Sequence, residues 1–119
     1  MRENLESGIL DEFIKVAELY ELREGKGSVR KLDDEEIALV KLDGSVLAFI
    51  NVCPHQHTPL VDKYGGRIAG ENLTCPMHGW TFQLKGGKCI NGSGKLKMLE
   101  VKVESGGIFV KKIDKNPSW

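Results

Sequence analysis

The sequence predicts an all-β fold, and three observations carry that prediction. Two runs of strand formers between Glu36 and Ile50 flank the dipeptide Asp43-Gly44. Asp-Gly is a strong hairpin signal because glycine accepts the positive φ that tight two-residue turns require. Near the carboxyl end, Leu99, Val101 and Val103 alternate with Glu100 and Lys102, as a half-buried strand should. Between these hairpins, residues 51–96 are rich in glycine and hold no helix-period pattern of useful length.

Each element follows in chain order. Phe13 to Val16 reads as a first strand. Ala17 to Leu22 is expected to form one helical turn, broken by Gly25-Lys26-Gly27, and Ser28 to Leu32 a second strand. The central hairpin sets Ile37, Leu39 and Leu42 against Val46, Leu47, Phe49 and Ile50. Residues 51–96 are expected to be loops and short strands on this β scaffold. After the strand around Val101, Ser105-Gly106-Gly107 turns the chain and Ile108-Phe109-Val110 returns it. Residues 113–119, with Pro117 and few core formers, read as a carboxyl-terminal extension. The 119 residues fit one domain, 1–119, without internal repeat or low-complexity segment.

Composition narrows the function classes. Hydrophobic residues make up 40% and charged residues 29%, as in ordinary soluble domains. Seventeen basic and seventeen acidic side chains cancel to a formal charge of zero. That balance offers no pull toward nucleic acid or an acidic membrane. The first residues contain no apolar run of signal-peptide length, and no stretch approaches the roughly 18 apolar residues of a membrane helix. The expected compartment is the cytoplasm. Three cysteines do not make a paired disulfide framework. In a reducing compartment, closely placed Cys and His point to metal before disulfide.

The metal-ligating residues form two short elements, Cys53-Pro54-His55 and Cys75-Pro76-Met77-His78, with 19 residues between His55 and Cys75. Each element joins a thiolate donor to an imidazole donor at loop spacing. Thiolates suit iron–sulfur clusters, zinc and copper(I), and imidazole suits zinc, copper and iron. Two Cys and two His can therefore hold one zinc ion, or a two-iron cluster with thiolates on one iron and imidazoles on the other. Structural zinc sites more often use four Cys, or Cys and His pairs at finger spacing.

Cys53-Pro54-His55-Gln56-His57-Thr58-Pro59-Leu60 and Cys75-Pro76-Met77-His78-Gly79-Trp80-Thr81-Phe82 resemble the two cluster-binding loops of Rieske proteins. The resemblance extends from about Phe13 to Lys111. It implies an antiparallel β-sandwich or partial barrel with a small cluster-binding subdomain, here about residues 51–96. It implies one [2Fe-2S] cluster, with Cys53 and Cys75 on the inner iron and His55 and His78 on the outer iron near solvent. Neutral imidazoles leave such a cluster less negative, so its potential lies at about −150 to +300 mV.

Neighbouring positions refine the resemblance. Respiratory Rieske proteins carry an additional disulfide between the loops, but Thr58 and Met77 stand at the matching positions. They also place hydroxyls near the cluster sulfurs, where this chain has Trp80 and Phe82. Fewer hydrogen bonds leave the reduced cluster less stabilised, so a potential near the low end is expected. Ring-hydroxylating oxygenases add a mononuclear iron needing two His and a carboxylate. With His55 and His78 on the cluster, only His57 remains.

The chain is thus similar to free-standing Rieske ferredoxins, which pass single electrons from a reductase, such as a flavoprotein, to a terminal oxidoreductase such as a ring-hydroxylating oxygenase. Such a protein is an electron carrier with no catalytic acid or base. Two alternatives stand beside it: the small Rieske-like subunit of a nitrite reductase, and a zinc-binding or redox-sensing interaction domain. Several positions depart from the common pattern. His57 replaces a frequent Gly, Gly92-Ser93-Gly94 replaces a loop that often carries Pro, and Gln83 replaces a commoner Asp. His57 is expected to be a partly exposed loop residue and Cys89 a buried, inert thiol in a short strand, Lys88-Cys89-Ile90. Trp80 is expected to pack under a loop and shield the site, and Lys95 and Lys97 to lie on a solvated face.

Overall fold

In the computed structural model, residues 13–32, 34–55, 57–62, 66–76 and 79–111 are described. Three antiparallel sheets and one 3-10 turn make up their regular structure. The strands are β1 (Phe13–Glu18), β2 (Gly27–Leu32), β3 (Glu35–Leu42), β4 (Ser45–Ile50), β5 (Arg67–Ala69), β6 (Asn72–Thr74), β7 (Thr81–Gln83), β8 (Met98–Leu99), β9 (Val101–Glu104) and β10 (Gly107–Lys111). No helix among these residues is long and apolar enough to cross a membrane.

The central hairpin forms as the sequence predicts. Asp43 and Gly44 both take positive φ, 53° and 79°, which turns β3 into β4 with Leu42 opposite Ser45. Strand β2 pairs with β3 and strand β8 with β4, giving the order β2-β3-β4-β8. The run Ile37-Ala38-Leu39-Val40 is wholly buried. A continuous apolar run is what a strand covered on both faces requires. Alternate residues then serve two cores. Ile37, Leu39, Val46 and Ala48 pack with Ala17, Ile108 and Val110 of the β1-β10-β9 sheet. Ala38, Val40, Leu42 and Phe49 pack instead with Cys53, Leu73, Cys75, Phe82 and Cys89. This four-stranded sheet is therefore the middle layer between a supporting sheet and the segment that holds the cysteines.

Three details differ from the sequence expectation. Strand β1 runs on to Glu18, and only Leu19–Glu21 takes a helical turn, of 3-10 type. Ala17 and Glu18 are drawn into pairing with Ile108 and Gly107 of β10, so tertiary contact overrides the local helical tendency. The strand expected around Leu99 and Val101 is two strands. Leu99 pairs with Ala48 in the middle sheet, and Val101 pairs with Val110 in the supporting sheet. The chain changes sheets at Glu100, which an alternating pattern cannot reveal because both strands keep the same period. Lys88-Cys89-Ile90 makes only isolated bridges, Phe82 with Cys89 and Lys88 with Lys95. His78, Met77 and the extension 113–119 lie outside the described residues.

Candidate metal centre

The first loop leaves the end of β4, and the second is the tip of the β6–β7 hairpin. They come from different sheets, yet they close in the same way. The Cys53 N–H donates to the Thr58 carbonyl at 2.8 Å, and the His57 N–H donates to the Cys53 carbonyl at 2.7 Å. In the second loop, the Cys75 N–H donates to the Trp80 carbonyl at 2.7 Å, and the Gly79 N–H donates to the Cys75 carbonyl at 3.3 Å. Each loop thus returns on itself around a cysteine, and the fifth residue must enter the left-handed region. That residue is Gly79 in one loop, at φ 77°, and His57 in the other, at φ 57°. The departure noted at His57 thus falls where the backbone favours glycine. Its side chain is exposed, so the cost that remains is the local one of a Cβ at positive φ.

A third loop follows the same rule: the Cys89 N–H donates to the Gly94 carbonyl at 3.1 Å. Ile90 N–H donates to the Thr81 carbonyl at 2.8 Å, which joins this loop to the second.

Cys53 and Cys75 are wholly buried and Cys89 nearly so, and no disulfide joins any of them. The Cys89 thiol faces the Asn91 amide oxygen at 3.5 Å, as an inert buried thiol can. His55 is half-buried. Its ring stacks on Trp80 with centroids 4.0 Å apart and planes 14° from parallel, and it lies 6.0 Å from the Phe82 ring. Trp80 therefore covers one face of the His55 ring. The two described histidines are not equivalent: His55 stacks on the indole of Trp80 and His57 is exposed.

Among the described residues, three buried side-chain polar atoms have no hydrogen-bond partner: His55 Nδ1, Thr58 Oγ1 and Trp80 Nε1. Buried polar groups are ordinarily satisfied, since an orphan costs about 1–3 kcal/mol. All three orphans sit in the two Cys-and-His loops. A buried imidazole nitrogen without a hydrogen-bond partner, in a loop that begins at a buried thiol, is a suitable ligand for a metal group.

The third loop completes the enclosure. A Cβ built on Gly92 would lie 2.2 Å from Cζ3 of Trp80, and one on Gly94 would lie 3.8 Å from the His55 ring. The indole is therefore wedged between Gly92 and His55. Gly92→Ala is expected to push Trp80 off His55 and to cost about 1–3 kcal/mol, the usual range for overpacking. Urea denaturation of the metal-free protein checks this, and an unchanged midpoint would contradict it.

Comparison with known proteins agrees with this geometry. The family model for the Rieske [2Fe-2S] domain matches residues 12–103. The ferredoxin component of the alkene monooxygenase system of Xanthobacter autotrophicus is 32% identical over 101 residues, covering 83% of this chain and 80% of that protein. The ferredoxin component of the naphthalene 1,2-dioxygenase system of Pseudomonas aeruginosa is 26% identical over 102 residues, covering 84% of this chain and 95% of that protein. The matched regions make up only 15% of larger relatives such as the carnitine monooxygenase oxygenase subunit of Acinetobacter baumannii. Among solved structures, the ferredoxin of carbazole 1,9a-dioxygenase from Nocardioides aromaticivorans superposes with a TM-score of 0.74 at 23% identity, covering 85% of this chain and 98% of that one. That likeness is one of fold.

Proposed function

The chain belongs to the Rieske [2Fe-2S] domain family, and we propose that Cys53 and Cys75 bind the inner iron of its cluster and His55 and His78 the outer iron. It is a ferredoxin, an electron carrier rather than a catalyst. Its one cluster, when bound, accepts and returns a single electron. The chain's own residues do the rest. Buried Cys53 and Cys75 keep one side of the site dry, and Trp80 covers His55 on another. Half-buried His55 leaves a short route to the surface for the electron.

The observation that carries the ligand assignment is the orphaned, buried Nδ1 of His55 in a loop that begins at the buried thiol of Cys53. In this reading 1–119 is one Rieske domain, with its cluster-binding region over about 51–96. The donor is a reductase such as a flavoprotein, the acceptor a terminal oxygenase, and the compartment the cytoplasm. Coulometric titration tests the carrier role, with one electron per chain expected. A protein that takes up none would sink it.

The surroundings also set the potential. Phe82 is wholly buried and brings no hydroxyl to the site. The midpoint is expected in the lower part of the Rieske range, about −150 to 0 mV. Phe82→Tyr would supply one hydrogen bond to the reduced cluster. At about 1 kcal/mol, and 59 mV per tenfold for one electron, it raises the midpoint by roughly 40 mV. Redox titration of both proteins measures this, and a wild-type midpoint well above zero contradicts it.

A further inference from the structure

We propose that Asn91 is a positioning residue for the cluster, acting through the second loop. This rests on the ligand assignment above. Asn91 lies outside both Cys-and-His motifs, yet its side-chain amide grips the second loop on both sides of Trp80. Its Nδ2 donates to the Gly79 carbonyl at 3.0 Å, and its Oδ1 accepts the Thr81 N–H at 2.9 Å. The same oxygen faces the Cys89 thiol at 3.5 Å. The Gly79 carbonyl takes a second, longer bond from the Thr81 hydroxyl, at 3.3 Å.

The consequence is geometric. Gly79 directly follows His78, and Thr81 begins β7. Only Trp80 lies between the two gripped residues, and its indole is the ring stacked on His55. One amide therefore fixes the exit of the second loop, the plane of the indole and, through the stack, the ring of His55. The backbone adds two ties between the same loops: Ile90 N–H donates to Thr81 at 2.8 Å, and Cys89 N–H closes its own loop on Gly94 at 3.1 Å. Those ties survive a change at position 91, so the loop is loosened rather than lost. No other residue type supplies this grip as well, because a donor and an acceptor must leave one short planar group in opposite directions.

The test compares Asn91→Ala with Asn91→Asp and Ile37→Val. Ile37 is wholly buried in the other core cluster, against the supporting sheet. Its shortening lowers stability without touching either loop. The readouts are the g values of the dithionite-reduced cluster and the rate at which cluster absorbance decays in chelator. Asn91→Ala is expected to shift the g values and to speed cluster loss about tenfold, as losing two hydrogen bonds would. Asn91→Asp keeps the acceptor for Thr81 and loses the donor for Gly79, so its decay rate falls between wild type and Asn91→Ala. Ile37→Val leaves the g values unchanged.

Unchanged g values in Asn91→Ala, with a decay rate within about twofold of wild type, would overturn the role of Asn91. So would g shifts and decay equal to those of Ile37→Val, since stability alone would then explain them. A wild-type protein without the mixed-ligand signal would overturn the ligand assignment, and this inference with it.

Discussion

Asn51→Ala is expected to cost the folded protein about 3 kcal/mol or more, a large share of the roughly 5–15 kcal/mol that holds a domain together. Asn51 is a buried polar residue of the core, only 1% exposed. Its Oδ1 accepts the Leu60 N–H at 3.0 Å and the Val61 N–H at 2.8 Å. Its Nδ2 donates to the Val61 carbonyl at 2.8 Å and to Glu36 Oε1 at 3.1 Å. These bonds close the base of the first loop, joining the residue after β4 to the point where the loop ends. Truncation orphans up to three buried backbone groups, and each orphan costs about 1–3 kcal/mol. Leu60 and Val61 pack with Cys53 in one core, so the first loop loosens with them. Urea denaturation of the metal-free protein measures the loss. A cost below about 1 kcal/mol would mean that water replaces the amide freely.

The second large effect concerns the ligands. Cys53→Ser and Cys75→Ser are each expected to abolish the visible cluster absorbance, and Cys89→Ser to retain it. All three thiols are buried in one core cluster, so burial does not separate them. Their neighbourhoods do. Cys53 and Cys75 each begin a loop containing a histidine, and the orphaned nitrogen of His55 belongs to the first of these. Cys89 begins a loop without histidine, and its thiol faces Asn91. Absorbance spectra and iron content of the purified variants give the answer. A coloured Cys75→Ser protein, or a colourless Cys89→Ser protein, would contradict the assignment.

Much of this was legible in the sequence, for physical reasons that can be named. Asp43-Gly44 marked the central hairpin because few dipeptides tolerate its two positive φ angles. The Cys-and-His motifs were visible because ligand chemistry needs specific residue types at short spacing. The switch of sheets at Glu100 was hidden, since Leu99 and Val101 keep one alternation while serving different partners. The helical turn was overstated at Ala17, where pairing with β10 decides the outcome.

At the site, His57 was recognised as a departure from glycine, but its φ of 57° explains why glycine is common there. Sequence reasoning missed Asn51 and Asn91. Both act through hydrogen bonds to residues some 10 positions away, and neither carries a metal-binding group. Asn51 had a faint signal: a polar residue directly after the apolar end of β4. For Asn91 the only hint was its place before Gly92, in a loop that departs from the usual Pro.

The central claim is that two thiolates and two imidazoles share one cluster. Electron paramagnetic resonance of the dithionite-reduced protein tests it most directly. The account predicts a spectrum with the low average g of a mixed Cys/His cluster, with nitrogen hyperfine coupling from two histidines. An all-cysteine ferredoxin spectrum, or a silent, colourless protein carrying stoichiometric zinc, would contradict it.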